Sequence, residues 1–168
     1  MGILLDLAQY DGKQVDVLEA IQRSHAPDAG VLAELITLAD AEETNVATGA
    51  TWLLRSYVEA GAPLDSNLVS SLAVTLKGIG SHWARLHICQ AVRSIEIPEG
   101  DAGSFADFLH HCTRSERPFL RAWATDGLYR LAQQHAAYEA EAALALETAL
   151  TDPAASVRAR ARRILLEK

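Results

Sequence analysis

Residues 152–161 read Asp152-Pro153-Ala154-Ala155-Ser156-Val157-Arg158-Ala159-Arg160-Ala161. Asp-Pro is a helix-start signal. The carboxylate can accept from an unpaired first-turn N–H, and proline lacks an N–H that the first turn leaves free anyway. An alanine-rich, helix-favouring run follows. Counting back from Arg158, arginine recurs at Arg121 and Arg85, at intervals of 37 and 36 residues. An apolar column keeps the same step: Ile36, Leu72, Leu109 and Leu146 are spaced 36, 37 and 37. Units of this length stack, each burying the apolar face that it cannot bury alone. The period predicts an all-α chain, an α-solenoid of about four helical hairpins.

Each hairpin divides into an A helix and a B helix. The first A helix is expected over 28–40, with Val31, Leu32, Leu35, Ile36 and Ala39 on one stripe. Its B helix covers 44–60 and stops at Gly61 and Pro63. The second A helix starts near Ser66 and carries Leu68, Leu72 and Leu76. Gly78-Ile79-Gly80 breaks it, Ser81 caps the next B helix, and that helix ends before Pro98. Phe105, Phe108, Leu109 and Cys112 mark the third A helix, and Pro118 sits in the first turn of its partner. The fourth A helix is the run 138–150, and the last B helix follows Asp152-Pro153. Residues 1–27 lack the arginine column. Val15, Leu18 and Ile21 give only a weak stripe there, as expected of a terminal helical cap. No strand-like alternation and no low-complexity linker interrupts the chain, so residues 1–168 read as one domain, with the repeats over 28–168.

A chain of 168 residues buries roughly 70% of its unfolded surface and needs no metal or disulfide staple. Cys89 and Cys112 fall within apolar helical patterns and read as buried, reduced thiols. Ile3-Leu4-Leu5 is cut short by Asp6 with no basic stretch before it, so it is not a signal peptide. No apolar run approaches the roughly 20 residues that span a bilayer. A cytoplasmic protein is the expectation. The net charge of −7 argues against nucleic acid or an anionic membrane as partner.

That charge is unevenly distributed. The B segments 44–60, 81–96, 117–135 and 154–168 hold 11 of the 15 Lys and Arg and only 4 of the 22 Asp and Glu, a net of +7 against −14 elsewhere. Two basic columns run through them. Arg55, Arg93, Arg130 and Lys168 lie at B-helix C-termini, where a cation complements the helix dipole. Arg85, Arg121 and Arg158 lie near N-termini, where the dipole disfavours a cation, so another group must hold them.

The last repeat resembles the second-helix signature of HEAT repeats: Asp152-Pro153, three variable residues, Val157-Arg158, then small residues. The third repeat is similar through Pro118-Phe119-Leu120-Arg121, Ala124 and Gly127-Leu128. The second is similar at Arg85, Ala91 and Val92, and the first has Thr48 in the arginine column. The resemblance extends from Asp28 to the end. It implies that the B helices line a concave face, making the groove basic and the outer face acidic. It also implies that the N-terminal arginines tie adjacent units through loop carboxylates or carbonyls, with anion binding as the other reading. HEAT arrays serve mostly as binding scaffolds and occasionally as enzymes, so the likeness speaks to fold more than function.

Aromatic pairs Trp83/His87 and Phe119/Trp123 flank the arginines at helical i,i+4 spacing, a pattern that can hold a peptide or bases by stacking and cation–π contact. His110 and His111 point about 100° apart on a helix and cannot share a metal with Cys112. His82 and His87, five apart, also pair poorly, so no metal and no cofactor is expected. Asp126 is the one acidic residue well inside a B helix; it reads as an arginine partner or, alternatively, as a catalytic base. No Ser-His-Asp, Cys-His or phosphate-loop pattern occurs. The reading is a non-enzymatic scaffold whose Trp83, Arg85, Arg121, Trp123 and Arg158 meet an acidic protein or peptide segment. The alternative is a HEAT-like DNA glycosylase acting on alkylated purines, with Asp126 as its carboxylate.

Overall fold

Helix-favouring runs punctuated by capping residues set the architecture. The computed structural model describes residues 2–167. Ten α-helices follow one another among the described residues: α1 (Ile3–Leu7), α2 (Val15–Ser24), α3 (Ala29–Leu38), α4 (Thr44–Glu59), α5 (Ser66–Thr75), α6 (His82–Ala91), α7 (Ala102–Thr113), α8 (Pro118–Gln134), α9 (Glu139–Leu150) and α10 (Ala155–Leu166). Short 3-10 turns extend α5 and α6 and precede α7 and α9. No strand occurs among the described residues, and no helix there is long and apolar enough to cross a membrane.

The caps are local and specific. Asp28, Asp65 and Ser81 each accept from a backbone N–H three residues on, at Val31, Leu68 and Ala84. The second cap is thus Asp65 and not Ser66: the longer carboxylate reaches the first turn, and Ser66 becomes the first helical residue. The Asp-Pro start of α10 also differs from expectation. The helix begins at Ala155 with Ala154 at the cap, and the Asp152 carboxylate accepts from the Ala154 N–H. Gly61 closes α4 with φ of 98°, a left-handed conformation that a side chain would strain.

The even-numbered helices form a continuous row: α4 packs on α6, α6 on α8, and α8 on α10. Of the odd-numbered helices, α3 lies on α4, α7 on α8, and α9 on both α8 and α10, while α5 packs on α3 and α7. Alanine and glycine allow the close approach. Gly127 faces Leu109 so tightly that an added Cβ would lie 2.6 Å from a Leu109 methyl. The apolar column Ile36, Leu72, Leu109 and Leu146 is buried throughout, as are Cys89 and Cys112. One apolar cluster runs from Ile3 to Ala142. A second joins Ala122 of α8 to Leu146 and Ala149 of α9 and to Val157, Ala161 and Ile164 of α10.

The row also buries a histidine. His87 of α6 pairs its Nδ1 with the Thr51 hydroxyl of α4 at 3.1 Å. Burial, helped by the positive charge of Arg55, pushes its pKa down to about 3. An unfolded histidine titrates near 6.5, so below that pH the unfolded chain takes up a proton that the folded chain refuses until about pH 3. Stability contributed by the neutral ring is therefore complete above pH 6.5 and declines as the pH falls. Between pH 8 and pH 5 this should cost about 2 kcal/mol. The His87→Gln variant should lose less over that range in urea melts, and parallel curves for the two proteins would contradict the assignment.

Candidate binding face

The two basic columns have separate partners. Each N-terminal arginine donates to the carbonyl six residues earlier: Arg85 to Ile79 at 2.8 Å, Arg121 to Ser115 at 2.9 Å, and Arg158 to Asp152 at 2.6 Å. Arg121 and Arg158 reach the next carbonyl too, at Glu116 and Pro153. Arg121 also forks onto the Asp152 carboxylate, through Nε at 2.9 Å and Nη2 at 2.8 Å. This bidentate bond holds the Asp152 carboxyl below the usual carboxylate range and the Arg121 guanidinium above its own. Where the first unit lacks an arginine, Thr48 hydrogen-bonds Ser81, the cap of α6, at 2.9 Å. The column clamps the loops that start its helices. Arg121→Ala leaves two loop carbonyls and a carboxylate short of a donor, and should cost about 1–3 kcal/mol. A thermal melt matching the parent protein would contradict that role.

The C-terminal column forms a ladder from each helix to the next. Arg55 donates to Gln90 at 2.5 Å, Arg93 lies 3.8 Å from Asp126, and Arg130 donates to Glu167. Lys168, its fourth member, lies outside the described residues.

The ladder converges on Asp126. This side chain is buried, 1% exposed, in the middle of α8. Its Oδ1 accepts from Arg130 Nε at 3.2 Å, with Arg93 Nη2 at 3.8 Å. Its Oδ2 has no hydrogen-bond partner, and its nearest cation is Arg160 Nη1 at 3.6 Å. Glu167 adds a second carboxylate, 3.5 Å from Arg93 and bonded to Arg130, and these cations lower its pKa. Trp123, one turn before Asp126, lies between neighbouring helices. The Arg93 guanidinium approaches from the α6 side, 5.9 Å from the ring centroid, and Arg160 covers the ring from α10 at 3.7 Å. The Trp123 ring and the Asp126 carboxylate thus share the same two guanidiniums, the ring by cation–π attraction and the carboxylate as counter-charge.

The five residues singled out from sequence do not form one cluster. Trp123 is in the arginine stack. Arg121 and Arg158 meet at Asp152, and Arg85 turns to its own loop. Trp83 is 49% exposed and packs its ring near His82, 5.0 Å between centroids. Its i+4 partner His87 is buried, whereas Phe119 is 63% exposed beside Trp123. His110 bonds Glu141 at 2.5 Å, and the neighbouring His111 is exposed. Sequence reasoning passed over Arg160. Its signal was the period itself, since Arg160 stands 37 residues after Trp123 and so occupies the same place one helix on.

Compared with protein-family models, with curated proteins and with solved structures, the chain finds no match.

Proposed function

We propose that this chain is a non-enzymatic interaction module: a HEAT-like α-solenoid whose α6–α8–α10 face binds an acidic protein segment. The observation that carries the reading is the Arg93–Trp123–Arg160 stack above Asp126. Arg93, Arg130, Arg160 and Arg163 outnumber the carboxylates Asp126 and Glu167 in this region, so the face keeps an excess of positive charge within a chain of net charge −7. Planar guanidiniums held against an aromatic ring lose little freedom when they fork onto a carboxylate. The clamp residues Arg121 and Arg158 belong to the scaffold in this reading, and Arg160 and Arg93 take the binding role.

Two observations weigh against the glycosylase alternative. Asp126 is sealed beneath three arginines, whereas a catalytic carboxylate must come within hydrogen-bond reach of its substrate. Arg160 also covers Trp123, so a base stacking there would have to displace it.

The test is fluorescence anisotropy with a labelled peptide rich in Glu and Asp. Binding should weaken as ionic strength rises to the physiological level. Arg160→Ala should weaken it further, while its Gln- and Asn-substituted counterpart should not bind. Equal binding of the charged and neutral peptides would sink the proposal, as would release of alkylated purine from methylated duplex DNA.

A further inference from the structure

Beside the arginine stack, α8 and α10 leave a shallow groove of about 290 Å³. Its apolar part is formed by Phe119, Ala122 and Trp123 on α8 and by Ala159 on α10. Arg160 and Arg163, three residues apart on α10, edge it. Phe119 is 63% exposed at the first turn of α8, an unusual place for a phenylalanine with nothing to cover it. Arg163 is exposed, and among the described residues no carboxylate lies within ion-pair distance of it, although Glu167 feels its charge. The groove thus joins an unfilled aromatic site to two guanidiniums, of which Arg160 is already oriented by Trp123.

We infer that this groove is a docking site for a linear peptide segment that carries one large apolar side chain close to two or more carboxylates. The apolar side chain packs on Phe119, Ala122 and Ala159, and the carboxylates fork onto Arg160 and Arg163. This inference rests on the proposed acidic partner and adds to it an apolar anchor and a place. Charge complementarity selects the occupant. A purely apolar segment leaves Arg163 without a counter-charge and Arg160 with Asp126 alone, and a purely acidic one leaves Phe119 uncovered. Aromatic and arginine side chains at the centre of such a contact carry most of its binding energy.

The full chain is used as bait for a phage-displayed library of random peptides, and the enriched sequences are synthesised and measured by anisotropy. They should combine an aromatic residue or leucine with at least two neighbouring acidic residues. Phe119→Ala and Arg163→Glu both change exposed side chains, so the fold should survive, as a circular dichroism melt will verify. Each should weaken the selected peptides about tenfold or more, and Lys77→Glu, on another part of the surface, should not. Acidic peptides that bind equally well to the Phe119→Ala and Arg163→Glu variants would overturn the groove while leaving the acidic-partner reading intact. Enrichment of peptides without acidic residues, or of none, would overturn both. Single-stranded oligothymidine serves as the competing probe. If it binds more tightly than the selected peptides and responds to the same two variants, the groove belongs to nucleic acid and the inference is wrong.

Discussion

Asp126→Asn should destabilise the protein by about 3–5 kcal/mol, the usual cost of removing one partner from a buried ion pair. The side chain keeps its shape and loses its charge. Arg93, Arg130 and Arg160 then converge on a neutral amide, with Glu167 the one carboxylate left near Arg93 and Arg130. Repulsion among the guanidiniums should also loosen Arg160 from Trp123, so tryptophan fluorescence should report the change before global unfolding. Chemical denaturation measures the loss. A neutral or stabilising outcome would favour the enzymatic alternative, because residues placed for chemistry often reduce stability.

Leu109→Ala should cost about 2–5 kcal/mol, the range for a large-to-small change in a core. Leu109 is fully buried in α7 and fills the space that Gly127 leaves on α8. Gly127→Ala tests the same contact from the opposite side. Its new methyl would lie 2.6 Å from Leu109 Cδ2, so the leucine must move. Overpacking of this kind costs about 1–3 kcal/mol. The double variant should be less damaging than the sum of the two, since Leu109→Ala makes room for the methyl; strictly additive losses would show that the two side chains do not share this space.

The helical character and the helix positions were legible because their signals are local. Apolar spacing, Ser81, Gly61 and Pro118 act within a turn or two of where they stand. The caps at Asp65 and Ala154 were misplaced for a reason just as local: two capping residues stood side by side at 65 and 66, and Asp152 is shared with Arg121. That Arg121 and Arg158 need a holding group followed from their standing against the dipole; that loop groups supply it was implied by the resemblance to HEAT repeats. The arginine cluster around Asp126 was harder to read. Arg55, Arg93 and Arg130 looked like dipole complements, yet each spans 33 to 37 residues to Gln90, Asp126 and Glu167. Such pairings depend on the rotation of each helix about its axis, which a hydrophobic pattern determines only coarsely. Arg93 stands in the 3-10 turn at 92–94, beyond the last turn of α6, and its guanidinium lies 5.9 Å from the Trp123 ring centroid. Asp126 was visible as an exception to the charge pattern, but not that it would be buried beneath three cations.

The acidic-partner account is tested most directly at the three tryptophans, Trp52, Trp83 and Trp123, through their indole N–H signals in a proton–nitrogen correlation spectrum. The titrant is an acidic peptide carrying one phenylalanine, with its Gln- and Asn-substituted counterpart as control. The Trp123 signal should shift with the charged peptide, saturate, and return when salt is added, while the control leaves it in place. Binding of the charged peptide with the Trp123 signal unmoved would contradict the account.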